Sequence, residues 1–220
     1  MKPVHTLLAP AVLALAALGA PAAHATGIDV LDEGFDNVGQ LPGWVQVNAG
    51  IPAGDAWFQG NPGVFGAQAG AADAYIAANF LGAANGSGSV DNWLITPTLD
   101  LSGMTVLNFH TRHDATPGFA DLLEVRFEAG TGTDPSGFTT LLATVGGTAA
   151  YPTDWTQYAA TVAGTGSGRF AFRYTGAADT LNYIGLDTVS VVTAVPEPAA
   201  WTMLALGLGL VTVLRTRTRS

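Results

Sequence analysis

Between residues 26 and 195 the chain keeps returning to an alternation of period two, and that pattern limits what it can fold into. In residues 169–174, Phe170, Phe172 and Tyr174 fall on one side, with Arg169, Ala171 and Arg173 on the other. Residues 122–129 repeat it, with Leu123, Val125 and Phe127 set against Glu124, Arg126 and Glu128. Successive side chains of a strand point to opposite faces, so each run reads as a strand with one core face and one wet face. No stretch of comparable length carries the three-and-four spacing of an amphipathic helix. Further strands are expected at 28–35, 44–48, 56–59, 74–78, 92–94, 106–112, 140–145, 156–162 and 182–192, separated by Gly, Pro, Asn and Asp. Glycine-rich residues 60–70 and 83–89 read as loops. The expected architecture is an all-β sandwich of two antiparallel sheets. With no cysteine in the chain, its stability must come from apolar burial, and thiol catalysis and thiolate metal sites are excluded.

The two ends have a different grammar. Residues 7–18 form an apolar core behind Met1 and Lys2, and Ala23-His24-Ala25 places small residues at Ala23 and Ala25, where signal peptidase inspects the chain. Residues 1–25 are therefore expected to be a signal peptide, with His24 part of the cleavage site and the mature chain starting at Thr26. At the other end stand Pro196, Glu197 and Pro198, an apolar stretch whose charge-free part runs from Trp201 to Leu214, and then Arg215, Arg217 and Arg219. As a helix, those 14 residues span about 21 Å, short of a hydrocarbon core roughly 30 Å thick. The arginines behind them would stay on the cytoplasmic side. An ordinary anchor helix is the plainer reading. Motif, apolar stretch and basic end in this order resemble the PEP-CTERM sorting signal of Gram-negative bacteria. That resemblance implies an exosortase as processing partner, passage through the inner membrane as an anchored precursor, and a final place at the cell surface or outside the cell. The expected divisions are 1–25, 26–193 and 194–220.

With both signals removed, the body keeps Arg112, Arg126, Arg169 and Arg173 against sixteen acidic side chains, a net charge of about −12. Such a chain repels phosphate backbones and anionic membrane surfaces, so no nucleic-acid partner is expected. About 170 residues suit one domain with a real core.

Several short segments along this body belong together. Asp91 to Ser102 reads Asp-Asn-Trp-Leu-Ile-Thr-Pro-Thr-Leu-Asp-Leu-Ser; Glu33-Gly34-Phe35, Gly43-Trp44, Leu107-Asn108-Phe109 and Leu123-Glu124-Val125 accompany it, and Gly185-Leu186-Asp187-Thr188-Val189-Ser190-Val191 closes the chain's last strand. Together these resemble the choice-of-anchor J domains, relatives of the cleaved-adhesin and MAM-like jelly rolls, over roughly residues 30–192. The resemblance implies a jelly-roll-like sandwich and a binding or structural role in an extracellular, biofilm or exopolysaccharide-associated matrix, with a matrix protein or polysaccharide as partner. It also implies a calcium ion where the first strand meets the last, with Glu33 and Asp36 matching the early acidic element and Asp187 the late one. Hard cations take such oxygens. The plainer reading has Asp187 capping a turn and the other two solvated.

Catalysis finds less support. His110 and His113 lie on a strand, where residues three apart face opposite ways, and they read as surface histidines beside a turn at Pro117-Gly118. No serine sits in a Gly-any-Ser-any-Gly elbow, and no carboxylate pair is nominated for glycoside hydrolysis. The expectation is a non-enzyme, with a secreted hydrolase or carbohydrate-binding protein as the alternative. Trp44 and Trp93 read as structural, and Trp57 and Trp155 as the better surface candidates for stacking on sugars.

Overall fold

The computed structural model describes residues 27–194. The signal-peptide residues Ala23 and Ala25, the motif Pro196–Pro198, the stretch from Trp201 to Leu214 and the three terminal arginines lie outside the described residues. Within them no helix is long and apolar enough to cross a membrane. Helical backbone there is confined to four 3-10 turns.

Ten strands carry the fold: β1 (Gly27–Glu33), β2 (Val45–Asn48), β3 (Phe58–Gln59), β4 (Ile76–Asn79), β5 (Ser89–Ile95), β6 (Leu99–His113), β7 (Leu122–Ala129), β8 (Thr140–Gly146), β9 (Thr156–Ala177) and β10 (Tyr183–Ala194). All pair antiparallel. One layer runs β1 and β4, both on β10, then β6, then the first half of β9. The other runs β8, β7, the second half of β9, β5 and β2. The layers face each other as a sandwich, but they are one sheet curled through β9 rather than two separate sheets.

The sequence divides β9 into two strands at its glycine-rich middle; the structure keeps it continuous for 22 residues. Glycine is what lets it pass. A Cβ on Gly168 would come within 2.7 Å of the Phe127 ring and 2.9 Å of Leu101, so the seam between layers tolerates no side chain there. The same segment explains why β6 starts at Leu99 rather than 106: residues 99–104 find their partners in residues 163–168.

Between the layers lies the main core. Phe170, Phe172 and Tyr174 are wholly buried and share it with Leu123, Val125 and Phe127. Fully burying each such side chain contributes about 1.5–3 kcal/mol. The opposite faces are drier than alternation alone suggests. On β9 and β5, Ala171 packs with Trp93, Ile95 and Phe138 in a small second core. Arg173 belongs to this face: its guanidinium grips Asp91 at 2.6 and 3.1 Å, reaches Glu124 at 3.2 Å and lies 5.0 Å over the Trp93 ring. On the outer face of the other layer, the loop after β3 folds Phe65 over Tyr75, Ala77 and Tyr183, with Trp155 and Phe58 against them. Arg112 stacks over Phe65 at 4.4 Å. Of the two tryptophans read as surface candidates, Trp57 is 4% exposed in the main core. Trp155 is partly buried and donates its indole N–H to the Gly66 carbonyl at 2.8 Å. Trp57 directly precedes the two-residue edge strand β3, and the chain around it folds inward to cover its ring.

Candidate functional site

The end of the sandwich where β6 finishes and β10 begins holds a cavity of about 300 Å³. The turn 114–121 after β6 and the segment 147–153 after β8 form its walls. Its chemistry centres on Asp121, which is 1% exposed and directly precedes β7. Oδ1 of Asp121 accepts from the Tyr174 hydroxyl at 2.5 Å and from the Asn182 backbone N–H at 2.9 Å. Oδ2 pairs with His113 Nδ1 at 2.9 Å. An ionised carboxylate can only accept, so this contact assigns a proton to Nδ1, and in the neutral ring it makes His113 Nε2 an acceptor. Nε2 has no hydrogen-bond partner among the described residues, and the His113 side chain is 11% exposed along the cavity wall.

Tyr151 backs the histidine, with ring centroids 5.4 Å apart. Thr111 gives its only hydroxyl proton to the Gly185 carbonyl at 2.6 Å, so the Tyr151 hydroxyl donates to Thr111, also at 2.6 Å. Burial pushes the Tyr151 phenol well above its ordinary value, and the Asp121 charge adds to that. Burial and Asp121 do the same to Tyr174. Both phenols therefore stay neutral. Gly146 closes the back of the site: a Cβ there would strike the Asp121 carbonyl at 2.0 Å and the Tyr151 ring at 2.6 Å, and its φ of +83° suits glycine. Phe119, 37% exposed, stands on the rim with Pro117, Ala149 and Ala150. A wider depression of about 500 Å³ lies elsewhere, over Gly39, Gln40, Leu41 and Pro42, and those residues bring no ionisable side chain to it.

His113 is thus not the surface histidine its sequence suggests. His110 lies three residues back along β6, on its outer face and paired in register with Asp187, and its buried Nδ1 has no partner among the described residues. Asp121 stands eight residues from His113 across an irregular turn, and its one local mark is an acid set directly against an apolar alternating run. Among the described residues no serine or threonine bonds to His113.

The three acidic residues matched to a calcium site lie elsewhere. Asp187 is wholly buried on β10. Its Oδ2 accepts from the Gln68 and Ala69 N–H groups at 2.8 and 3.2 Å, and its Oδ1 from Thr188 N–H at 2.6 Å. Burial raises its pKa, an effect those donors only partly offset. Asp36 borders the same loop: its Oδ1 would lie 3.3 Å from a Cβ on Gly70. Glu33 turns onto its own chain and accepts from Phe35 N–H at 2.8 Å. Among the described residues no three His, Cys, Asp or Glu side chains are grouped to hold a metal ion. The carboxylates alone therefore make no calcium cage, and an ion here would need peptide carbonyl oxygens as well.

Comparison with known proteins agrees on the fold. The K3 cleaved adhesin domain of Lys-gingipain from Porphyromonas gingivalis W83 superposes with a TM-score of 0.59 at 24% identity, covering 77% of this chain and 100% of that one. The K1 cleaved adhesin domain of the same protein gives 0.58 at 28% identity, covering 76% and 98%. The K2 domain gives 0.56 at 23% identity, covering 74% and 99%. No family model matches the chain, and no curated protein does.

Proposed function

We propose that this chain is the precursor of an exported, non-enzymatic binding module of cleaved-adhesin type, displayed at the surface of a Gram-negative cell or released from it into a polysaccharide or protein matrix. The observation that carries the reading is the match to the K1 adhesin domain, which spans 98% of that domain and so corresponds to a whole module. In this reading, signal peptidase removes residues 1–25, residues 26–193 form a choice-of-anchor J-like domain, and residues 194–220 are a PEP-CTERM signal cut by an exosortase. Pairing of Gly27 with Ala194 supports it, because both flanking segments then leave from one end of the sandwich. The cavity lies at the other end: on β6, Gly103 lies beside Ala194 and His113 comes ten residues later, about 33 Å on at the rise of a strand. A module tethered at its joined ends would hold the cavity outward.

Mass spectrometry of the protein recovered outside its native host tests the export. A mature chain beginning at Thr26 and lacking Arg219 is the expected result; intact Arg219 on the released form would contradict it. Calcium at Glu33, Asp36 and Asp187 is a separate proposal, supported by the resemblance and by the way Asp36 and Asp187 flank one loop. It requires a melting temperature that rises with calcium, falls with chelator and loses both responses in Asp187→Ala. A wild-type curve that ignores both removes it.

A further inference from the structure

We infer that the cavity at His113 is a subsite for one neutral sugar ring of an extracellular glycan. This rests on the binding-module reading and names the site and ligand class within it. The acceptor on its wall selects the ligand. With Nδ1 held by Asp121, the neutral His113 ring offers the lone pair of Nε2 and calls for a ligand that donates a hydrogen bond. Close behind it lies the buried Asp121 carboxylate, within a body of four arginines and sixteen acids, so an anionic ligand is repelled. The other walls supply contact rather than charge. Tyr151 has spent its hydroxyl on Thr111, and the half-exposed Phe119 ring stands at the mouth with Pro117 and two alanines. A pyranose has this mixed character, with a C–H face for an aromatic ring and hydroxyls that donate. A cavity of about 300 Å³ is at the lower end of small-ligand sites, enough for one ring and too small for an oligomer. The rest of a chain would run out past Phe119.

Titration of the full chain with neutral oligosaccharides (glucans, galactans and mannans), with oligogalacturonate beside them, tests this by calorimetry and by the resonances of His113. At least one neutral oligomer should bind and shift His113, and oligogalacturonate should not. His113→Ala and Phe119→Ala should each weaken binding by about tenfold, roughly what one lost contact of this kind is worth, with the melting temperature of Phe119→Ala unchanged. Neutral oligomers binding with equal strength to both variants would place the glycan site elsewhere and overturn the inference while leaving the module reading intact. Preference for the uronate, or no neutral oligomer binding at all, would overturn it as well. Failure of the module reading would look different: substrate turned over, or protein that never leaves the cell.

Discussion

Asp121 and Asp187 are both shut away from water, at 1% and 0% exposure, yet different kinds of donor hold them. Asp187 is held by peptide N–H groups of the loop at 68–69 and of its own neighbour Thr188. A carboxylate bound this way fixes backbone, and here it pins the loop that carries Phe65 onto the outer face. Asp121 is held by a tyrosine, one peptide N–H and a histidine. Through that histidine its charge reaches a cavity wall. The lesson is that burial does not separate a structural acid from a functional one; what the acid's partners face does.

The largest effect should come from Asp121→Ala. It strands the Tyr174 hydroxyl, the Asn182 N–H and His113 together in the interior, and losing one side of a buried charged network costs about 3–5 kcal/mol. Asp187→Ala should cost less, about 1–3 kcal/mol, because the freed loop can turn its N–H groups to water. Chemical denaturation of both variants checks the order. Faster proteolysis within residues 60–74 is expected for Asp187→Ala only, and equal cleavage in both would break the distinction. His113→Ala should cost about 1 kcal/mol and leave the cleavage pattern alone, since Tyr174 and Asn182 still satisfy one oxygen of Asp121.

The smallest effect is on pH dependence. The folded state holds the Asp187 proton more tightly than the unfolded chain does, since burial raises its pKa. The contribution of this group is therefore most favourable below the ordinary carboxylate range and declines as pH rises through the elevated folded value. Melting temperatures of wild type and Asp187→Asn against pH should differ by a slope of that sign. A difference of opposite sign would mean that the N–H donors outweigh burial.

Much of the sandwich was legible in the sequence because alternation reports directly on which face is buried. Phe170, Phe172 and Tyr174 need no other information to be placed. The glycine-rich middle of β9 was not legible, because glycine marks a loop in one context and a close crossing of layers in another. Only the Phe127 ring and Leu101, both distant in sequence, decide which applies at Gly168. Arg173 read as exposed because alternation places it outside the main core; the outer layer of Trp93 and Phe138 follows from a loop path that no local pattern encodes. The site was the least legible part. His113 and Asp121 meet across an irregular turn, and Tyr174 and Asn182 arrive from more than fifty residues away. No spacing rule joins four residues brought together by two strands and two loops.

The most direct test of the account is the protonation of the His113 ring, read from long-range proton–nitrogen correlations in the free protein. The neutral ring should carry its proton on Nδ1, with Nε2 showing the shift of an unprotonated nitrogen and responding when a neutral sugar is added. A proton on Nε2 in the neutral ring would mean that Asp121 does not hold this histidine, and the cavity would lose the acceptor on which its proposed role depends.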